Sequence, residues 1–129
     1  MALVLQTSPY SVRTTIDRVT DSLAARGIEV FARIDHGAGA RAAGLELPDE
    51  EVVIFGDPRS GTPLMQDDAA IGYELPLRLL AWDAGGETRV GYRPPPDLAD
   101  DYAVADRSEG LERMRGLLEA IVAESVASE

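Results

Sequence analysis

The chain has 129 residues, 45% of them hydrophobic and 27% charged, which describes one globular domain with no room for two independent cores. With 23 acidic against 12 basic residues its net charge is −11, so nucleic acid and anionic membrane surfaces, both recognised through clustered cations, are excluded as main partners. There is no cysteine and every basic residue is arginine, which excludes disulfides, thiolate zinc sites, thiol catalysis, Schiff-base lysines and a P-loop lysine.

Leu3 to Thr7 is a short apolar run ending near Pro9 and predicts a first strand. A helix follows, with Ser11 or Thr14 as its cap, Ile16, Val19 and Leu23 at helical spacing, and Gly27 as a left-handed stop. Ile28, Val30, Ala32 and Ile34 alternate with Glu29, Phe31, Arg33 and Asp35, a strand pattern with one buried face. The stretch from His36 to Gly44 reads as a turn into a short Ala-rich helix. Val52 to Phe55 is a continuous apolar run that suits a strand buried on both faces, and it ends at the turn signal Gly56-Asp57-Pro58. Leu77–Trp82 and Thr88–Arg93 flank Asp83-Ala-Gly-Gly-Glu87 as a hairpin. Pro94–Pro96 stiffens the exit and Asp97 caps a short helix. Ser108 opens the last helix, with Leu111, Met114, Leu118, Ile121 and Val122 in one stripe and Glu109/Arg113 and Arg115/Glu119 as i,i+4 pairs.

This order predicts an α+β two-layer sandwich: a mixed sheet of about five strands with helices packed mainly on one face. Residues 1–129 form a single domain. No apolar run approaches the roughly 20 residues that span a bilayer, and no leader pattern is visible, so the chain is expected to be cytoplasmic.

Candidate chemistry concentrates after the third strand. Gly56, Asp57, Arg59, Ser60, Gly61 and Thr62 form a Gly- and Pro-containing segment at a strand end, where α/β proteins place ligands. With Pro63 at the first helical position, Thr62 would be the N-cap, and free amides of Gly61 and Thr62 with Arg59 would cradle an anion. The plainer reading is a tight turn whose Gly and Pro satisfy geometry. His36, the single histidine, ends the second strand and is a candidate acid, base or hydrogen-bond donor, or else a helix cap. It would join the loop if strands two and three ran parallel, when Ser60 or Thr62 with His36 and Asp57 could form a nucleophile, base and orienting acid. Metal binding is not expected, because one histidine and no cysteine leave no ordinary ligand set. Met65, Met114, Trp82 and Tyr92 read as core.

Phe31-Ala-Arg-Ile-Asp-His36, Gly44-Leu-Glu-Leu47, Phe55-Gly-Asp-Pro58 through Gly61-Thr-Pro-Leu-Met65, Leu75-Pro-Leu77, Ala81-Trp-Asp83 and Val90-Gly-Tyr92 occur in an order that resembles the domain of unknown function 302 family, from about residue 10 to residue 128. The chain departs from that pattern in carrying Asp57 and Arg59 where the family has Asn and commonly Lys. The resemblance implies a small α+β fold and a homodimer, with His36 and Gly56–Met65 as signature positions; it implies no activity, and the sequence leaves any cofactor unknown. The expected function is binding of a small molecule or anion near His36 and the Gly56–Thr62 loop. The alternatives are a small-substrate enzyme with His36 as acid/base, and a dimeric structural or protein-interaction module.

Overall fold

A computed structural model describes residues 2–128. The elements in chain order are β1 (Val4–Ser8), α1 (Val12–Ala25), β2 (Glu29–Asp35), α2 (His36–Ala42), β3 (Glu50–Gly56), α3 (Pro58–Asp67), a 3₁₀ turn (Ala69–Tyr73), β4 (Leu77–Ala84), β5 (Glu87–Tyr92), the one-turn α4 (Leu98–Asp101) and α5 (Ser108–Val126). The five strands form one sheet in the order β1-β5-β4-β3-β2. The α+β sandwich expected from the sequence holds, but the sheet is not mixed: each neighbouring pair is antiparallel.

Local sequence explains most of the element ends. Ser11 caps α1 by accepting from the Thr14 amide, and Gly27 at φ 68° lets the chain turn into β2. Gly85 and Gly86, both with positive φ, make the two-residue turn between β4 and β5, a conformation that side chains resist. One expectation fails here: Asp97 makes no side-chain cap bond to α4.

α1 and α5 pack together on one face of the sheet. Ile16, Val19 and Leu23 from α1, Val53 and Phe55 from β3, Leu79 and Ala81 from β4, and Leu118 and Ile121 from α5 are buried in one cluster. Arg18 ties the helices by donating to the carbonyls of Ser125, Glu124 and Ala127, a cation at the C-terminal end of α5. A second, smaller cluster of Leu64, Ile71, Leu98, Val104, Leu111 and Met114 lies where α3 and α4 meet the start of α5. Arg93, bonded to Glu74 at 3.0 Å and also to Asp101, holds this end to β5.

The simple alternation expected for β2 is broken. Its register with β3 shifts between Val30 and Ala32, leaving Phe31 as the extra residue of a bulge. Val30 opposes Phe55 on the helix side, whereas Ala32 and Ile34 oppose Ile54 and Val52 on the other. Arg33 takes the helix side and donates to Glu51 at 2.8 Å and Asp17 at 2.7 Å. Glu51 is only 6% exposed, so this pair lets an edge strand dock against α1 with a carboxylate beneath it. Val52, at 9%, and the half-buried Ile54 face away from the helices, so β3 is fully buried on one face only.

Candidate functional site

The segment after β3 is not a loop. Asp57 caps α3 by accepting from the Arg59 amide at 2.9 Å, Pro58 takes the first helical position, and Gly61 and Thr62 are already helical. The expected cap at Thr62 with a helix starting at Pro63 is therefore corrected: the helix begins five residues earlier and contains Pro63. The consequence for an anion cradle is direct. The Ser60 and Gly61 amides donate to the Asp57 carbonyl, and the first-turn positive end already faces the Asp57 carboxylate. Arg59 is also committed to Asp57, with Nη2 3.0 Å from Oδ2, and its side chain is 90% exposed.

What the segment builds instead is one wall of a groove of about 600 Å³. Phe31 approaches from the bulge of β2 and Ile28 from just before that strand, Leu75 to Leu77 from the entry to β4, Arg107 from the turn before α5, and Glu109 to Leu117 from the first half of α5. Gly56 permits the closure, because a Cβ there would lie 3.2 Å from the Pro76 Cβ. Gly61 lies on the wall, where a Cβ would sit 3.6 Å from Leu75 Cδ1 and 3.8 Å from Met65 Cε. Met65 is not core but 38% exposed here, and Trp82 is half-buried on the helix-free face; Met114 and Tyr92 are buried as expected. The interior is apolar, and the rim carries the charges. Among the described residues Arg113 makes no ion pair, so the expected Glu109/Arg113 bridge is absent, whereas Arg115 holds Glu119 at 2.6 Å and Glu112 at 2.7 Å.

His36 lies elsewhere. Because β2 and β3 are antiparallel, Glu29 opposes Gly56 while Asp35 opposes Glu51. Six strand residues, about 20 Å, thus separate His36 from the α3 start. The expected juxtaposition of His36 with Gly56–Thr62 is overturned, and with it the arrangement of Ser60 or Thr62 with Asp57 as a triad. His36 is the first residue of α2, is exposed, and has no side-chain hydrogen bond among the described residues. Phe31, Leu75, Met65, Arg113 and Leu117, which the sequence did not single out as a site, meet only through the fold. The one local clue was Asp57-Pro58, a readable helix cap and first-turn proline.

The charge pairs give the chain a shaped pH response. The Arg59 side chain and then its amide hold the Asp57 carboxyl below its ordinary range; Arg107 does so for Asp67, and Arg26 with Ser22 for Glu124. Such groups add stability above the unfolded carboxylate value near about 4, and that stability is lost as pH falls through the lower folded value. From neutrality down to that range the surplus acids act oppositely, since protonation relieves repulsion. Urea unfolding is expected to show maximum stability near about pH 5 and a decline toward about pH 3. A midpoint still rising at the acid end would show that the pairs add nothing.

A sequence profile described as Domain of unknown function DUF302 matches residues 4–121. The chain is 45% identical over 108 residues to the protein named Fluoride-specific ion channel FluC 1 of Brucella suis biovar 1 (strain 1330), covering 83% of this chain and 42% of that protein. The protein of the same name from Brucella abortus biovar 1 (strain 9-941) is likewise 45% identical, with 40% of its length covered. The chain thus spans about two fifths of these curated relatives. None of the helices among its described residues is long and apolar enough to cross a membrane. The fold is that of an uncharacterized conserved DUF302 protein from Bacillus stearothermophilus, with a TM-score of 0.86, 19% identity, and coverage of 97% of this chain and 98% of that one.

Proposed function

The chain belongs to the family described as Domain of unknown function DUF302, and from the groove beside α3 we propose that it binds a small, largely apolar molecule. The observation that carries this reading is the groove itself. Its volume of about 600 Å³ suits a small ligand, and Ile28, Phe31, Leu75, Met65 and Leu117 offer apolar contact. Two methionines on its lining, Met65 and Met114, adapt to ligands of differing shape. Arg113 at the rim would orient a polar end without supplying the main affinity. The inorganic-anion form of the reading loses support, because Asp57 occupies the amides and the guanidinium that an anion would need. The enzyme alternative loses support likewise, since His36 stands at the other end of the sheet. A cytoplasmic location belongs to the same proposal and accords with the acidic, cysteine-free composition.

The name of the Brucella relatives favours a second reading, in which this chain serves fluoride transport as a part outside the pore. Fluoride is small and strongly hydrated, so it would need convergent donors that the apolar groove does not offer. A thermal-unfolding panel separates the two. Neutral aromatic and aliphatic compounds at about 100 times their dissociation constant should stabilise the fold by about 2.7 kcal/mol, while sulfate, phosphate and sodium fluoride leave it unmoved beyond their effect as salts. A specific shift with fluoride and none with the apolar compounds would favour the second reading and overturn the first.

A further inference from the structure

The charges on the wall of the groove are unevenly committed. Asp57 and Arg59 hold each other, and Arg107 holds Asp67 with Asp106 beside it. Arg113 has no partner among the described residues, although Glu109 stands one helical turn before it. Gly110, Arg113, Met114 and Leu117 line the groove and recur at i, i+3, i+4 and i+7, so they share one face of α5. Successive residues turn by about 100°, which puts Arg113 within that face and Glu109 at its edge. A helical side chain leans toward the start of its helix, and the Arg113 guanidinium accordingly reaches over Gly110. A Cβ at Gly110 would lie 3.7 Å from Arg113 Nη2, with no atom of another element within 4 Å. The glycine thus leaves open space beside a free guanidinium, on the same face as the apolar contacts of Met114 and Leu117.

We propose that the ligand of this groove is an amphipathic monocarboxylate: an apolar body lying against Phe31, Leu75 and Leu117, with a single carboxylate on Arg113. The inference rests on the groove reading above and names the polar end that it left open. The guanidinium fork matches a carboxylate in its own plane, through two parallel N–H donors. Its surroundings select one negative charge and no more. Among the described residues Arg113 is the one cation of the lining without a partner, and Glu109 beside it, in a chain of net charge −11, repels a second negative group. Dicarboxylates and phosphate esters are thereby disfavoured. An ammonium end would meet Arg113 first and find its carboxylate, Glu109, at the edge of the face. Arg113 is exposed, and an ion pair in water adds little affinity. The apolar body therefore carries the binding, and Arg113 carries the discrimination between end groups.

Isothermal titration of the intact chain with naphthylacetate, its methyl ester and naphthylethylamine at about pH 7 tests this, since the three share one ring system and differ in the charge of the end group. The expected order of affinity is acid, ester, amine, with the acid binding at least about fivefold more tightly than the ester. In Arg113→Met, which keeps a long side chain at an exposed helical position, acid and ester should bind alike, with the affinity for the ester retained. Arg113→Gln is the second variant, and native circular dichroism identifies a folded one. Equal binding of acid and ester by the native chain, or a preference for the amine, overturns the carboxylate assignment and leaves the groove reading standing. So does a preference for the acid that survives in a folded variant, or an equal loss of acid and ester there. Binding of none of the three compounds overturns both.

Discussion

Arg33→Ala is expected to lower the unfolding free energy by about 3 kcal/mol, an effect far beyond that of an ordinary surface arginine. The reason is the residue it leaves behind. Glu51 is 6% exposed beneath α1 and is held by Arg33 Nε at 2.8 Å. Removing the guanidinium strands a carboxylate in a place where water reaches it poorly, and the same change frees Asp17 on α1 from its contact at 2.7 Å. In a domain of this length the loss corresponds to a fall in melting temperature of about 10 °C. The companion measurement is Glu51→Gln in the Arg33→Ala background. It removes the stranded charge and should recover most of the loss; failure to recover would show that Arg33 acts through packing alone.

Phe55→Ala should cost more, about 4 kcal/mol. Phe55 is fully buried in the main cluster, facing α1 and α5 from β3. Against a total of about 5–15 kcal/mol for such domains, this change brings the protein close to unfolding. Phe55→Leu, which keeps most of the volume, should cost about 1 kcal/mol. Equal losses from both substitutions, read as urea midpoints, would mean that ring shape rather than buried volume decides the position.

The parts of the fold governed by neighbours in sequence were readable there. Ser11 and Gly27 bound α1, Gly85-Gly86 turns the hairpin, and the α5 stripe of Leu111, Met114, Leu118, Ile121 and Val122 is buried throughout. Three features depended on longer-range choices. The alternation of β2 pointed Ile28, Val30, Ala32 and Ile34 to one face, but the bulge at Phe31 divides them between two. Nothing within seven residues announces a bulge that β3 imposes. The strand after α2 could pair either way, since a 14-residue connection from His36 to Asp49 is long enough for a parallel crossover. The antiparallel outcome separates His36 from α3 and dissolves the joint site. The third case is α3, whose Gly61 and Pro63 suppress the helical signal that Asp57-Pro58 carries. Of the candidate site, Gly56, Asp57, Arg59, Ser60, Gly61 and Thr62 all line the groove, while His36 does not. Their companions Phe31, Leu75, Arg113 and Leu117 come from distant parts of the chain and share no spacing.

The most direct test of the groove is a titration with N-phenyl-1-naphthylamine, a neutral apolar fluorophore, into the native chain, Gly61→Leu and His36→Ala. Gly61 is inside α3 and its Cβ position makes only ordinary contacts, so a leucine there extends into the groove and also removes a helical glycine worth up to about 1 kcal/mol. The account predicts saturable one-to-one binding by the native chain, the same affinity in His36→Ala, and loss of binding in Gly61→Leu with an undiminished melting temperature. No saturable binding by the native chain, or unchanged affinity in Gly61→Leu, would contradict it.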